Sequence, residues 1–278
     1  MFVSGQNIDY TETGEGEAVL FVPGSFSTPA AWRGIIDRMG AGYRCISTSL
    51  CGYGGTGETR TLEDAAMAHE TRIIEAVAKR IGEPVHLVGH SFGATVALAA
   101  ALQGNIELRS ITTFEANPAR LLRHCGGQAS FVYARNISRA LEQAHFSGEA
   151  EAAGIVIDFW GGRGSFAAMP EPVRDYCRAG TVTNALDWRT ALAFDVRASD
   201  LAGLDVPVML VRGEHANSVM VEVTDRLEDF IPDARAEVVD GASHFLITTH
   251  VDDCADLLLD FLADVAARDH ETPRVAAE

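Results

Sequence analysis

Pro84–Leu102 reads PVHLVGHSFGATVALAAAL, and its two halves call for different secondary structure. Val85–Val88 is a short apolar, β-branched run, the pattern of a buried strand. Gly93–Leu102 is rich in Ala and Leu with no Pro, the composition of a helix. Between them, Gly89-His90-Ser91-Phe92-Gly93 places G-x-S-x-G at a strand-to-helix junction. A turn this tight forces the serine into a strained backbone conformation, and the glycines on either side let neighbouring chain approach closely. The expected result is a nucleophile elbow. It lifts the Ser91 hydroxyl clear of the sheet edge. The Phe92 N–H and the helix N-terminus then face any negative charge that develops there.

Working outward, strand and helix patterns alternate on both sides of this stretch. Upstream, Ala18–Val22 (AVLFV) reads as a central strand, and it ends in the small-residue loop Pro23–Thr28. A short helix over Pro29–Met39 and a strand over Tyr43–Ser49 follow, then the glycine-rich loop Cys51–Gly57. Leu62–Ile81 has the apolar spacing of an amphipathic helix with Thr61 as N-cap. Downstream, Arg109–Phe114 (RSITTF) reads as the next strand. This alternation predicts a parallel sheet with helices on both faces. It breaks from Leu121 to about Ala202, which reads as a helical insertion with a loop-like aromatic stretch, DFWGGRGSF, at 158–166. It resumes with a strand over Val206–Arg212, a helix over Val219–Phe230, a strand over Ala236–Val239 and a closing helix over Asp252–Ala267. The expected organisation is a core over 1–122 and 203–267, an inserted helical cap over 123–202, and a flexible tail over 268–278.

The 278 residues are 47% hydrophobic, ample for a sizeable core. A formal net charge of −17 argues against binding a phosphate backbone or an anionic membrane, since both need clustered Lys and Arg. The segment MFVSGQNIDY lacks the basic and apolar regions of a signal peptide, and no apolar run reaches about 18 residues, so a cytoplasmic location is expected. The five cysteines (45, 51, 125, 177 and 254) are scattered and contain no C-x-x-C pair, so they read as reduced thiols with no metal site or disulfide frame.

Five motifs in this order resemble the α/β-hydrolase family: PGSF at 23–26, CGYGGT at 51–56, GHSFG at 89–93, VPVMLVRGEH at 206–215 and GASHF at 241–245. The resemblance implies an α/β-hydrolase fold, a mostly parallel eight-stranded sheet with helices on both faces and an inserted helical cap. It implies Ser91 as nucleophile and His244, in the loop after the last strand, as general base. The Phe92 N–H and, by position, the Ser25 N–H would form the oxyanion hole, with Phe26 as the alternative to Ser25. The family has His-Gly where this chain has Pro23-Gly24.

The third member of the triad departs from the common pattern. The family places an aspartate three residues past the glycine of the GEH segment, and here that position is Ala216. Some members, including one subgroup of haloalkane dehalogenases, instead place the acid at the end of the strand after the elbow helix. Glu115 in TTFEANP occupies that place, and Glu214 is the alternative. A carboxylate leaving an apolar strand end needs a partner, and a histidine N–H is a natural one.

Nine of the chain's 21 aromatic residues fall in the insertion. Phe131, Trp160 and Trp188, with Phe26 from the oxyanion loop, are the candidate walls of a substrate pocket, although most such aromatics would build the insertion's own core. The expected function is a serine hydrolase of a small, largely apolar ester or lactone, with no cofactor or metal. The expected partner is a small-molecule substrate, and the chain is expected to be a monomer or homodimer. Three alternatives share the constellation: a carbon–carbon bond hydrolase of a ring-cleavage product, a cofactor-free perhydrolase, and a non-catalytic small-molecule receptor.

Overall fold

Side chains of the strand Gly16–Val22 divide between two cores, Val19 and Phe21 on one face and Ala18, Leu20 and Val22 on the other. Burial on both faces puts this strand inside a covered sheet. In the computed structural model, which describes residues 1–3 and 5–271, it is the fourth strand. The others are β1 (Phe2–Val3), β2 (Gln6–Asn7), β3 (Tyr10–Thr13), β5 (Gly42–Thr48), β6 (Val85–His90), β7 (Leu108–Phe114), β8 (Val208–Gly213) and β9 (Ala234–Val239), so that Gly16–Val22 is β4. One sheet runs in the order β3-β5-β4-β6-β7-β8-β9, parallel except for β3, which is antiparallel to β5.

The main sheet is therefore seven-stranded among the described residues, not eight-stranded as the resemblance implied. The first two strands pair with each other in a hairpin. That hairpin is tied to the loop after β5 and not to the sheet edge: the Gly57 N–H donates to Asn7 O at 2.9 Å. At two residues each, β1 and β2 are too short to extend a sheet edge on their own.

Helices α1 (Arg33–Ile36), α2 (Ala68–Ile81) and α3 (Phe92–Gln103) lie in the first half of the chain. Between β7 and β8 come α4 (Gln128–Phe146), α5 (Ala153–Gly161), α6 (Ser165–Ala168), α7 (Glu171–Ala179), α8 (Thr181–Ala193) and α9 (Ala198–Leu201). Helix α10 (Ser218–Phe230) joins β8 to β9, and α11 (Leu246–Thr249) and α12 (Val251–Glu271) follow. One sheet face is covered by Ile73, Ile74 and Val77 of α2 and Val96 of α3. The other is covered by Leu258, Phe261 and Leu262 of α12 together with Trp32. No helix among the described residues is long and apolar enough to cross a membrane.

Three stretches differ most from the sequence reading. Helix α2 starts at Ala68, because the Thr61 hydroxyl accepts from the Glu63 and Asp64 N–H groups at 3.2 and 3.1 Å and closes a local turn instead of capping a helix. The stretch at 158–166 is largely helical. The apolar run Ala153–Trp160 buries as α5, and the Asp158 carboxylate accepts from the Gly164 and Phe166 N–H groups at 2.9 and 2.8 Å, which turns the chain into α6. Finally, α12 continues through 268–271, so the start of the expected tail is helix, and its remainder, 272–278, lies outside the described residues.

Candidate active site

At the end of β6, Ser91 has φ 54° and ψ −124°, a backbone conformation outside the allowed helix and strand regions. The two glycines around it are there for space. A Cβ on Gly89 would lie 2.5 Å from Ala94 Cα, and one on Gly93 would lie 2.2 Å from Pro23 O. The Ser91 N–H is held by Phe114 O of β7 at 2.8 Å. Its neighbour Phe92 opens α3, where the first N–H groups have no partner inside the helix.

Two further strand ends converge on this serine. The Ser91 hydroxyl is 2.9 Å from His244 Nε2, in the loop after β9. His244 Nδ1 is 2.6 Å from Glu115 Oε2, one residue past β7. The other carboxylate oxygen, Oε1, accepts from the Gly213 N–H at 2.8 Å, and the Glu115 N–H is bound to Val211 O. Glu115 is strained as well (φ 55°) and 1% exposed. A buried carboxylate so held fixes the imidazole tautomer: Nδ1–H donates to Glu115, which leaves Nε2 to accept the Ser91 proton. The adjacent His90 is neutral, its pKa lowered to about 3 by burial and by the nearness of His244. Its Nε2 is 2.9 Å from His244 O, so as a neutral donor it fixes the His244 loop.

These groups open on a cavity of about 270 Å³. Trp160 stacks on the His244 ring at 5.3 Å and on Trp188 at 5.5 Å, and both indoles line the cavity, as does Phe26. Ser25 also faces it, next to the start of α3, and Phe26 is held at φ 55° in the same loop. Phe131 does not reach the cavity. It is buried in the core of the β7–β8 segment, with the Arg123 and Arg135 guanidiniums over its ring, so it serves packing. The alternative acid Glu214 is exposed and accepts from the Gly241 N–H at 2.7 Å, a loop-closing bond away from His244. Cys51 is buried, and burial pushes its thiol up to about 12, so it stays protonated at neutral pH.

The sequence reading missed a buried polar cluster behind the Ser25 loop. Asp187 of α8 accepts from the Ser25 hydroxyl and the Tyr53 hydroxyl, both at 2.6 Å, and from Arg60 at 2.8 Å. Arg60 also pairs with Glu70 at 2.9 Å and Glu58 at 2.8 Å. Burial works against the Arg60 charge, but the surrounding carboxylates outweigh it and raise its pKa. Burial raises Asp187, with Arg60 opposing, and raises Glu70 to about 7. One signal was available. Glu70 lies on the same helical stripe as Ile73, Ile74, Val77 and Ile81, a charge on an apolar face. Asn117 was missed too: its Nδ2 is 3.4 Å from the Ser91 hydroxyl, and its Oδ1 accepts from Thr95 at 2.8 Å. Among the described residues, no group of three or more His, Cys, Asp or Glu is arranged to hold a metal ion.

The profile of the alpha/beta hydrolase family matches residues 19–257. The chain belongs to this family. A curated relative, Lipase 3 of Moraxella sp. (strain TA144), is 23% identical over 267 residues, covering 91% of this chain and 80% of that one. The pimeloyl-[acyl-carrier protein] methyl ester esterase of Yersinia pestis is 25% identical over 267 residues, with 89% and 94% covered. Among solved structures, the meta-cleavage product hydrolase of Pseudomonas fluorescens IP01 superposes with a TM-score of 0.71 at 18% identity, covering 94% of this chain and 95% of that one. At that identity the likeness speaks for the fold alone. The chain is thus an α/β hydrolase with esterase-like relatives.

Proposed function

We propose that this α/β hydrolase is a serine hydrolase that cleaves a neutral, largely apolar carboxylic ester or lactone through an acyl-enzyme. The observation that carries the reading is the unbroken hydrogen-bonded string Ser91–His244–Glu115 at the wall of an aromatic cavity. Ser91 Oγ attacks the carbonyl carbon while His244 Nε2 takes its proton. The oxyanion lies between the Phe92 and Ser25 amides, where the loss of one such donor typically costs about 3 kcal/mol. His244, held as imidazolium by Glu115 and faced by the Trp160 ring, then returns the proton to the leaving alcohol. Water attacks the acyl-enzyme by the same relay, releasing the acid and the free serine.

An anionic substrate finds no fixed counter-charge in the wall: among the residues lining the cavity there is no Lys or Arg. Oxidative ring opening leaves a carboxylate on its product, so a carbon–carbon hydrolase of such products needs a cation that this wall lacks. The helices of 123–202 act in this reading as a cap that supplies Trp160 and Trp188.

The deciding experiment is steady-state hydrolysis of p-nitrophenyl esters from acetate to octanoate, wild type beside Ser91→Ala. Turnover reduced by about 10³-fold or more in the variant is the expected result. Turnover that survives in Ser91→Ala overturns the serine mechanism, and no turnover on any ester overturns the ester reading.

A further inference from the structure

Polar groups on the cavity wall are mostly bound within the protein. Ser25 is held by Asp187, Asn117 Oδ1 by Thr95, His90 by the His244 carbonyl, and Asp187 by Arg60. Asn184 differs. It lines the cavity and is 3% exposed, and its Oδ1 has no hydrogen-bond partner among the described residues. Its backbone is firmly placed, with the N–H donating to Gly180 O at 2.9 Å in the first turn of α8. Asn184, Asp187, Trp188, Ala191 and Leu192 follow the i, i+3, i+4, i+7, i+8 spacing of one helix face, and all of them line the cavity. A buried carboxamide oxygen left unpaired is costly, and Leu in its place would remove that cost. A polar group retained in an otherwise aromatic and aliphatic wall is the usual means of orienting a ligand.

We propose that Asn184 is a specificity-determining contact that hydrogen-bonds a second polar group of the substrate, an amide or a hydroxyl. This rests on the reading of the cavity as the hydrolytic site. An ester or lactone group has no hydrogen to donate, so the group that meets Asn184 Oδ1 belongs to another part of the substrate. It is neutral: the acidic side chain in the wall, Asp187, is already paired with Arg60, so an ammonium group finds no free counter-charge. An amide N–H or a hydroxyl supplies the hydrogen that Asn184 Oδ1 lacks.

The test uses chain-matched pairs of methyl esters, one carrying an acetamido group and the other an alkyl group of equal length. The acetamido group is stepped along the acyl chain in one series and along the alcohol in a second. The readout is the ratio of kcat/KM within each pair, for wild type, Asn184→Leu and Asn184→Ala. In wild type, the acetamido ester is favoured about 10-fold at one position. In both variants that ratio collapses towards one or inverts, and Asn184→Leu melts at or above the wild-type temperature. No acetamido preference at any position overturns the proposal, as does a preference that persists in both variants. Calorimetric binding of the same pairs to Ser91→Ala, which needs no turnover, separates the two readings. Asn184-dependent acetamido preference there, without hydrolysis by wild type, sinks the esterase reading and leaves the recognition standing.

Discussion

Two buried carboxylates serve the same cavity from different parts of the chain, and their partners give them opposite characters. Glu115, at the end of a core strand, faces a titratable imidazole at 2.6 Å and a single backbone N–H. Asp187, on the α8 helix, faces a guanidinium and two hydroxyls. A carboxylate paired with histidine sits beside a group whose charge appears and disappears as a proton moves, so it stabilises a charge that develops during reaction. A carboxylate paired with arginine faces a permanent cation, so its charge is already neutralised and it acts as a fixture. Asp187 thus joins three segments, the Ser25 loop, the Tyr53–Arg60 loop and α8. It ties the helical segment above the cavity to one of the candidate oxyanion donors. Buried charge is not by itself a mark of chemistry. What the charge faces decides.

The contrast predicts a separation of effects. Glu115→Gln gives the largest loss of activity, with kcat falling about 10³- to 10⁴-fold. The reason is tautomeric. A glutamine keeps an acceptor for the Gly213 N–H but turns its NH₂ towards His244 Nδ1, so the imidazole proton moves to Nε2, which can then no longer accept from Ser91. The melting temperature stays within a few degrees of wild type, and an unfolded variant or a loss below 10-fold breaks the comparison.

Asp187→Asn divides its effect the other way. Removing one partner of a buried ion pair typically costs about 3–5 kcal/mol, so thermal or urea denaturation reads the main change. Activity on p-nitrophenyl acetate falls by only about 10-fold, through kcat, as the Ser25 loop loses its anchor. If Asp187→Asn is as inactive as Glu115→Gln while equally stable, Asp187 belongs with the chemistry after all.

The smallest effect concerns pH. Burial raises Glu70 from the usual 4.5 to about 7, so between those values the folded chain keeps a proton that the unfolded chain has released. Excess proton binding by the fold makes this contribution largest below pH 4.5 and smaller as pH rises to about 7, where it levels off. Melting temperatures from pH 5 to 8 should show wild type losing ground against Glu70→Gln up to about pH 7 and running parallel above it. Curves parallel throughout would mean that Arg60 keeps Glu70 ionised across the whole range.

Legibility in the sequence followed the range of the interactions. The elbow was readable because its requirements are local: a β-branched strand, two glycines where any Cβ would strike backbone, and an Ala-rich helix. His244 and Glu115 were readable because each lies directly after a strand, and parallel strands in one sheet bring their C-terminal ends to one edge. Phe131 was misassigned because aromatic content does not say which way a helix face turns. The eighth strand failed because two-residue segments found their partners in a hairpin and a loop. The Asp187 cluster was legible only at Glu70, a charge on an apolar stripe, since its members come from loops and helices far apart in the chain. Its bond from Arg60 to Asp187 spans 127 residues.

By itself, then, the order of residues determined the parallel sheet, the strained serine and the two strand-end residues that meet it, since backbone sterics and strand direction leave few other arrangements. Only the tertiary structure decided which face of α8 looks into the cavity, that Arg60 neutralises Asp187, and that Asn184 is left with an unshared oxygen. Those facts depend on which distant side chains exclude water together, and no local spacing encodes that.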